Sequence, residues 1–312
     1  MHSWSDEQAR WVFRRSATLR ARGTKPVNGI VLPTLEFFPD RLDTSKKTVK
    51  RFFARTLELA GLDFLDVRLD IVDEEAAQGG SCSSGGCSAP GIPQTKLKRL
   101  ERDGDGFIAR LSSTELGHPT VLATVMVRTV SSMFLTELDC LATFAPSERE
   151  GAIDLAGALL GFGPILMNGS AIEVKGCSGM KVHSVTSLSS GEMALAVAIA
   201  CKLEGARATD IARHLGGAAS AAFAEGVRFV GANGDLVERI DNTPGSVEEN
   251  YFQLKEPGGL FSRAFKIFQR DDDDLAALEK QIQKKTAKTP KDVAREERMR
   301  ELRDLVEETL RS

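Results

Sequence analysis

Residues 112 to 120 read SSTELGHPT, and Thr114-Glu115-Leu116-Gly117-His118 is one residue short of H-E-x-x-H. That pattern does chemistry because residues four apart on a helix face the same way. Two neutral imidazoles then hold one Zn²⁺, and the Glu beside the first deprotonates the bound water. Thr114 offers no first imidazole. Pro119 follows His118 directly, and a residue before proline is pushed out of the helical region. Residues 114 to 118 are therefore expected to lead into a helix, and the near-match to be a coincidence in the wrong structural context.

The thiols are the next candidates. Cys82 and Cys87, with four residues between them, lie in GGSCSSGGCSAPGIP, residues 79 to 93. That loop has little bulk to bury and many glycines, and three readings stay open for its cysteines: no function, a redox or regulatory disulfide, or a zinc site completed by Cys140 and Cys177. Cys140 and Cys201 sit among apolar residues and are expected in the core. Five cysteines, an odd number, fit reduced thiols better than a disulfide framework. His183 and His214 have no partner at metal-ligand spacing and read as surface or cap residues. Gly161, Gly163, Gly169, Gly176 and Gly179 follow no strand in G-x-G-x-x-G order, so they make no phosphate loop, and no G-x-S-x-G elbow presents a serine nucleophile.

The elements that position these residues are read from periodicity. Residues 6 to 22 place Trp11, Val12, Arg15 and Leu19 at helical spacing, ended by Gly23 and Pro26. VNGIVLP, residues 27 to 33, reads as a strand; KKTVKRFFARTLELAG as a helix; and LDFLDVRLDIV, residues 62 to 72, as a strand with one wet face. GDGFIARLS, residues 104 to 112, reads as the return strand after Asp-Gly turn chemistry. From Pro119 a buried helix of about seven turns is expected through PTVLATVMVRTVSSMFLTELDCLATF. A second apolar helix, residues 147 to 168, is expected with Ser147 and Glu150 as a capping box and a stop at Gly163-Pro164. SLSSGEMALAVAIACKLEG is a third, and 208 to 230 continue helical with Phe223, Val227 and Val230 on one face. The fold class is α+β: a small sheet of residues 27 to 33, 62 to 72 and 104 to 112 beside a predominantly helical core.

Three regions follow: 1 to 117, an N-terminal α/β part; 118 to 240, the helical core; and 241 to 312, a linker and charged tail. The tail carries a stripe of Met299, Leu302, Val306 and Leu310, so residues 270 to 312 are a candidate surface for an unknown protein partner. Forty-one Lys and Arg against 44 Asp and Glu leave a net charge of −3. No general field draws such a chain to nucleic acid or anionic lipid, and neither is expected as a partner. The N-terminus lacks an apolar core of signal-peptide length, and no run of about 18 apolar residues occurs, so a cytoplasmic location is expected.

GIVLPTLEFFPD, LDFLDVRLDIV, HPTVLATVMVRTVSSMFL, EREGAIDLAGALLGFGPILMNGS and LSSGEMALAVAIACKLEGA occur in that order between about residues 10 and 232. The series resembles an uncharacterised bacterial family whose members read VLPTxEFFPD, DPxxLVATLAHELAH, DHExLTDLLTVFLGLGIFxAN and GYLxxxxxGYALALFAxLR. The resemblance implies a zincin-like hydrolase fold and places the family's H-E-x-x-H within Val127 to Ser132. No His or Glu stands there. Arg128 would put a permanent cation where the metal should sit. Glu150 and Asp154 match the Glu and Asp of DHExLTD, while Arg149 replaces its His; a structural account, with Glu150 capping its helix and Asp154 paired with Arg128 or Arg149, competes with a remnant site. The degenerate region is thus Arg128, Ser131, Ser132, Glu150 and Asp154. The resemblance leads to the expectation of a catalytically inactive relative, without a resident cofactor, with zinc at Cys82 and Cys87 as the alternative.

Overall fold

A computed structural model of the chain describes residues 3–40, 42–43, 45–73, 97–176 and 179–257. Cys82, Cys87 and Cys177 and the stretch from 270 to 312 lie outside them. The architecture is α+β: helices around one apolar core, a three-stranded sheet and a two-stranded hairpin.

Helix α1, Asp6–Ala21, starts on a Ser5 capping box with Gln8 and buries Ala9, Val12, Phe13, Ala17 and Leu19, the stripe that helical spacing dictates. Near its end Arg20 is buried. Its Nε and Nη2 donate to Asp241 at 3.0 and 2.8 Å, and its Nη1 reaches Glu204 at 3.3 Å, tying the N-terminal helix to two distant elements. Helix α2, Lys46–Leu59, buries Val49, Phe52, Phe53 and Leu57.

The sheet departs from expectation. Strands β1, Val67–Val72, β2, Leu100–Asp103, and β3, Gly106–Ser112, are ordered β1-β3-β2, with β1 parallel and β2 antiparallel to β3. Residues 27 to 33, expected as a strand, are not in it. Val31 N–H donates instead to the carbonyl of Gly161 at 2.9 Å, and its side chain is buried in the core. Gly29 at φ 65° and Pro26 and Pro33 on either side deny the segment a regular ladder. Strand β2 took its place; its charges, LERD, hid it. The Asp103-Gly104 turn is present, with Gly104 at φ 60°.

Helix α3, Pro119–Glu137, has His118 as N-cap and Pro119 in its first turn, and ends about two turns earlier than its composition suggested. Helix α4, Arg149–Gly157, runs through a π-helical segment, Ala158–Phe162, into α5, Gly163–Ser170. Two expectations fail here. Glu148, not Ser147, is the N-cap, with no side-chain cap bond, and Glu150 is spent on another partner. Gly163-Pro164 opens a helix rather than closing one, because proline's missing N–H costs nothing in a first turn. The break falls earlier, at Gly161, whose φ of 96° lets its backbone lie against Gly29.

The polar stretch after α5 is a hairpin, β4, Ile172–Gly176, and β5, Gly179–His183. Helix α6, Ser190–Leu203, is apolar on all sides and central, with a Ser189 capping box to Glu192. Helices α7, Ala208–Ala212, and α8, Gly217–Ala232, replace the continuous helix expected over 208 to 230; Phe223 and Val230 are buried and Val227 half-buried. Helices α9, Gly234–Asn242, and α10, Gly245–Glu248, follow.

Residues 241 to 257 are not a linker. Val247 and Phe252 are buried, and Asn233 fixes Lys255 by exchanging two hydrogen bonds of 2.8 and 2.9 Å with its backbone. Pro119–Glu137 and Arg149–Ser170 are long and apolar enough to cross a membrane by length and composition, but 61% and 94% of those windows are buried inside the protein, which accounts for their apolarity.

Candidate functional site

The TELGH segment is spent on structure. Ser112 to Glu115 form a single 3₁₀ turn with a capping box of their own, in which Ser112 N–H donates to Glu115 at 3.0 Å. The buried Glu115 carboxylate takes a bidentate pair from Arg99, at 2.8 Å on one oxygen. Thr114 Oγ1 bonds Ser112 Oγ at 2.8 Å. Glu115 therefore closes the turn after β3, and His118 caps α3; no helix sets positions 114 and 118 on one face.

About two and a half turns into α3 stands Arg128, and helix α4 presents Glu150 and Asp154, four apart, towards it. All three guanidinium nitrogens are engaged. Nε donates to Asp154 Oδ1 at 2.6 Å, Nη2 to Glu150 Oε2 at 2.7 Å, and Nη1 to the carbonyl of Val185 at 3.2 Å. The other Asp154 oxygen accepts from the backbone N–H of Ser187 at 2.6 Å and of Leu188 at 3.0 Å. Asp154 is fully buried, whereas the Glu150 side chain is 64% exposed, so the two carboxylates are not equivalent. Burial pushes the Asp154 carboxyl up from its usual range, and Arg128 with the two N–H groups pulls it back.

The arrangement is a polar clamp. Arg128 joins α3, α4 and the loop between β5 and α6 through one side chain. The structure thus unites Arg128, Glu150 and Asp154, the pairing with Arg128 being the one formed; Arg149 is exposed. It does not bring the serines in. Ser131 is buried with its Oγ donating to Val127 O at 2.9 Å, and it faces Gly157, where an added methyl would lie 2.7 Å from that oxygen. Half-buried Ser132 offers its carbonyl to Thr136. Sequence reasoning missed the Val185 carbonyl acceptor and the Ser187 and Leu188 N–H donors, since they are backbone groups and any residues there supply them.

Among the described residues, no group of three or more His, Cys, Asp or Glu side chains is gathered as a metal would require. Arg128 also spends the acceptor capacity that a cation at Asp154 would use. Cys140 and Cys201 are buried, and burial pushes the Cys201 thiol far up, away from the reactive thiolate. His183 and His214 are half-buried; His183 ends β5 and His214 lies in the turn after α7.

A second cluster joins α1 to the start of α4. Glu148 accepts from Trp11 Nε1 at 2.5 Å and from Arg15 at 2.9 Å on both oxygens. Burial opposes its ionisation, but the Arg15 and Trp11 hydrogen bonds outweigh that, so its carboxyl lies below the ordinary value of 4.5.

No protein-family model, no curated protein and no solved structure matches the chain.

Proposed function

We propose that the chain is a catalytically inactive relative of zincin-like hydrolases, keeping the fold for a binding or regulatory role. The observation that carries this reading is Arg128. A guanidinium paired with Asp154 and Glu150 stands where the family pattern places a metal between imidazoles and an acidic residue. Two carboxylates on one face of a helix are useful to a metal only while their oxygens are free, and here a fixed cation has taken them. The general base is missing as well, since no residue from Val127 to Ser132 is a carboxylate.

The test is elemental analysis of purified, tag-free protein carrying Cys82→Ser and Cys87→Ser. The expected result is zinc well below one equivalent. Stoichiometric zinc bound in that variant, and lost on replacing Asp154, would overturn the reading.

A further inference from the structure

In the sheet, β1 is an edge strand: among the described residues its only strand partner is β3. The phase of that ladder is fixed by Phe107 N–H donating to Asp66 O at 2.9 Å and by the pairing of Val67 with Phe107. In a parallel ladder this turns the N–H and C=O of Arg68, Asp70 and Val72 towards β3. The N–H and C=O of Val67, Leu69 and Ile71 therefore point away from the sheet. Their side chains are half-buried and pack on the core, while on the opposite face the Arg68 side chain is 62% and Asp70 39% exposed, 3.4 Å apart.

We propose that this edge is self-complementary and pairs antiparallel with β1 of a second copy, closing a two-fold dimer through one continuous sheet. The outward-facing groups permit only pairings of odd-numbered with odd-numbered residues. Four two-fold registers then pair three or more residues of the strand, centred on Arg68, Leu69, Asp70 or Ile71. One centred on Arg68 sets Arg68 against its own copy, and one centred on Asp70 sets carboxylate against carboxylate; like charges directly opposite are destabilising. The register centred on Ile71 avoids both but sets Asp70 against Val72; the register centred on Leu69 is the one of the four that also pairs opposite charges. It pairs Leu69 with Leu69, Val67 with Ile71, and Arg68 with Asp70 twice over, an isologous contact in which each copy supplies both partners. Val67, Leu69 and Ile71 of each copy donate and accept across it, which satisfies the row of backbone groups that an open edge leaves to water.

The occupant is a second copy because an unrelated strand has no reason to carry Asp and Arg in the reverse order at this spacing, whereas VRLDIV read backwards does so by symmetry. This inference is independent of the fate of the metal site.

Sedimentation velocity of the full chain across the micromolar range tests it. The expected result is a reversible dimer. Arg68→Asp alone, or Asp70→Arg alone, sets two like-charged pairs across the axis and should weaken association about tenfold or more. Mixing these two variants restores opposite charges in the heterodimer alone, and should restore association at the concentration where each variant by itself is monomeric. Both substitutions change exposed side chains, and near-ultraviolet circular dichroism checks that each variant stays folded. A wild-type chain monomeric throughout, or a dimer indifferent to both variants, overturns the proposal, as does a mixture no more associated than its components.

Discussion

A single arginine engages two carboxylates of unequal burial. Asp154 is fully buried and its partner Arg128 is 21% exposed, so the pair belongs to the class where removing one member leaves a charge stranded in the interior. Arg128→Met should therefore cost about 3 kcal/mol or more in urea unfolding. Arg128→Met with Asp154→Leu should recover most of that loss, because no stranded carboxylate remains; a double variant as unstable as the sum of the singles would show that the clamp matters through packing alone. Glu148 carries the pH dependence. Its carboxyl ionises more readily folded than unfolded, so its contribution is fully present above the unfolded value and is lost as pH falls through the folded one. Unfolding free energies of wild type and Glu148→Gln should accordingly converge as pH falls below 4.5 and through the lower folded value, and diverge towards neutrality.

At the scale of elements, the sequence carried what depends on apolar spacing and lost what depends on tertiary partners. Helices α1, α2, α3 and α6 were legible because their stripes or fully apolar runs have a length only a helix uses. Strand β2 was not, since LERD has no apolar alternation and forms a strand because β3 lies beside it. Residues 27 to 33 failed in the opposite sense: a β-branched run sends one backbone N–H, that of Val31, to Gly161 rather than joining a ladder. At the site, Arg128, Glu150 and Asp154 were legible as residues and their union was not, because it depends on α3 crossing α4 and on backbone donors from Ser187 and Leu188. The helix break predicts an outcome. Gly161 has φ 96° and a methyl there would run into the Gly29 carbonyl, so Gly161→Ala should lower stability by roughly 2 kcal/mol or more, against less than about 1 for Gly231→Ala, which has open space and an ordinary helical backbone. The decoy segment predicts the converse: Thr114→His completes H-E-x-x-H in letters but sits in a 3₁₀ turn ahead of Pro119, so isothermal titration with zinc should detect no added site.

For the whole molecule, the ends of the described chain meet. Helix α1 is covered by residues 245 to 252, which composition marked as linker because Gly, Ser, Glu and Asn dominate them. Two apolar side chains overrule that composition. Val247 is fully buried, and Phe252 is 4% exposed with its ring 6.3 Å from that of Phe13 and under the guanidinium of Arg14 at 5.8 Å. Arg10 adds a bond to the Phe252 carbonyl and lies 5.1 Å from the ring of Tyr251, which is 71% exposed. The two aromatic neighbours should therefore differ sharply. Phe252→Ala removes a buried ring from between α1 and its cover and should cost about 3 kcal/mol. Tyr251→Ala loses an exposed cation–π contact, worth about 0.5–1 kcal/mol. Urea unfolding of the two variants measures that difference directly, and equal losses would mean that the strap is held by Arg10 and the Asn233–Lys255 bonds rather than by burial of the Phe252 ring.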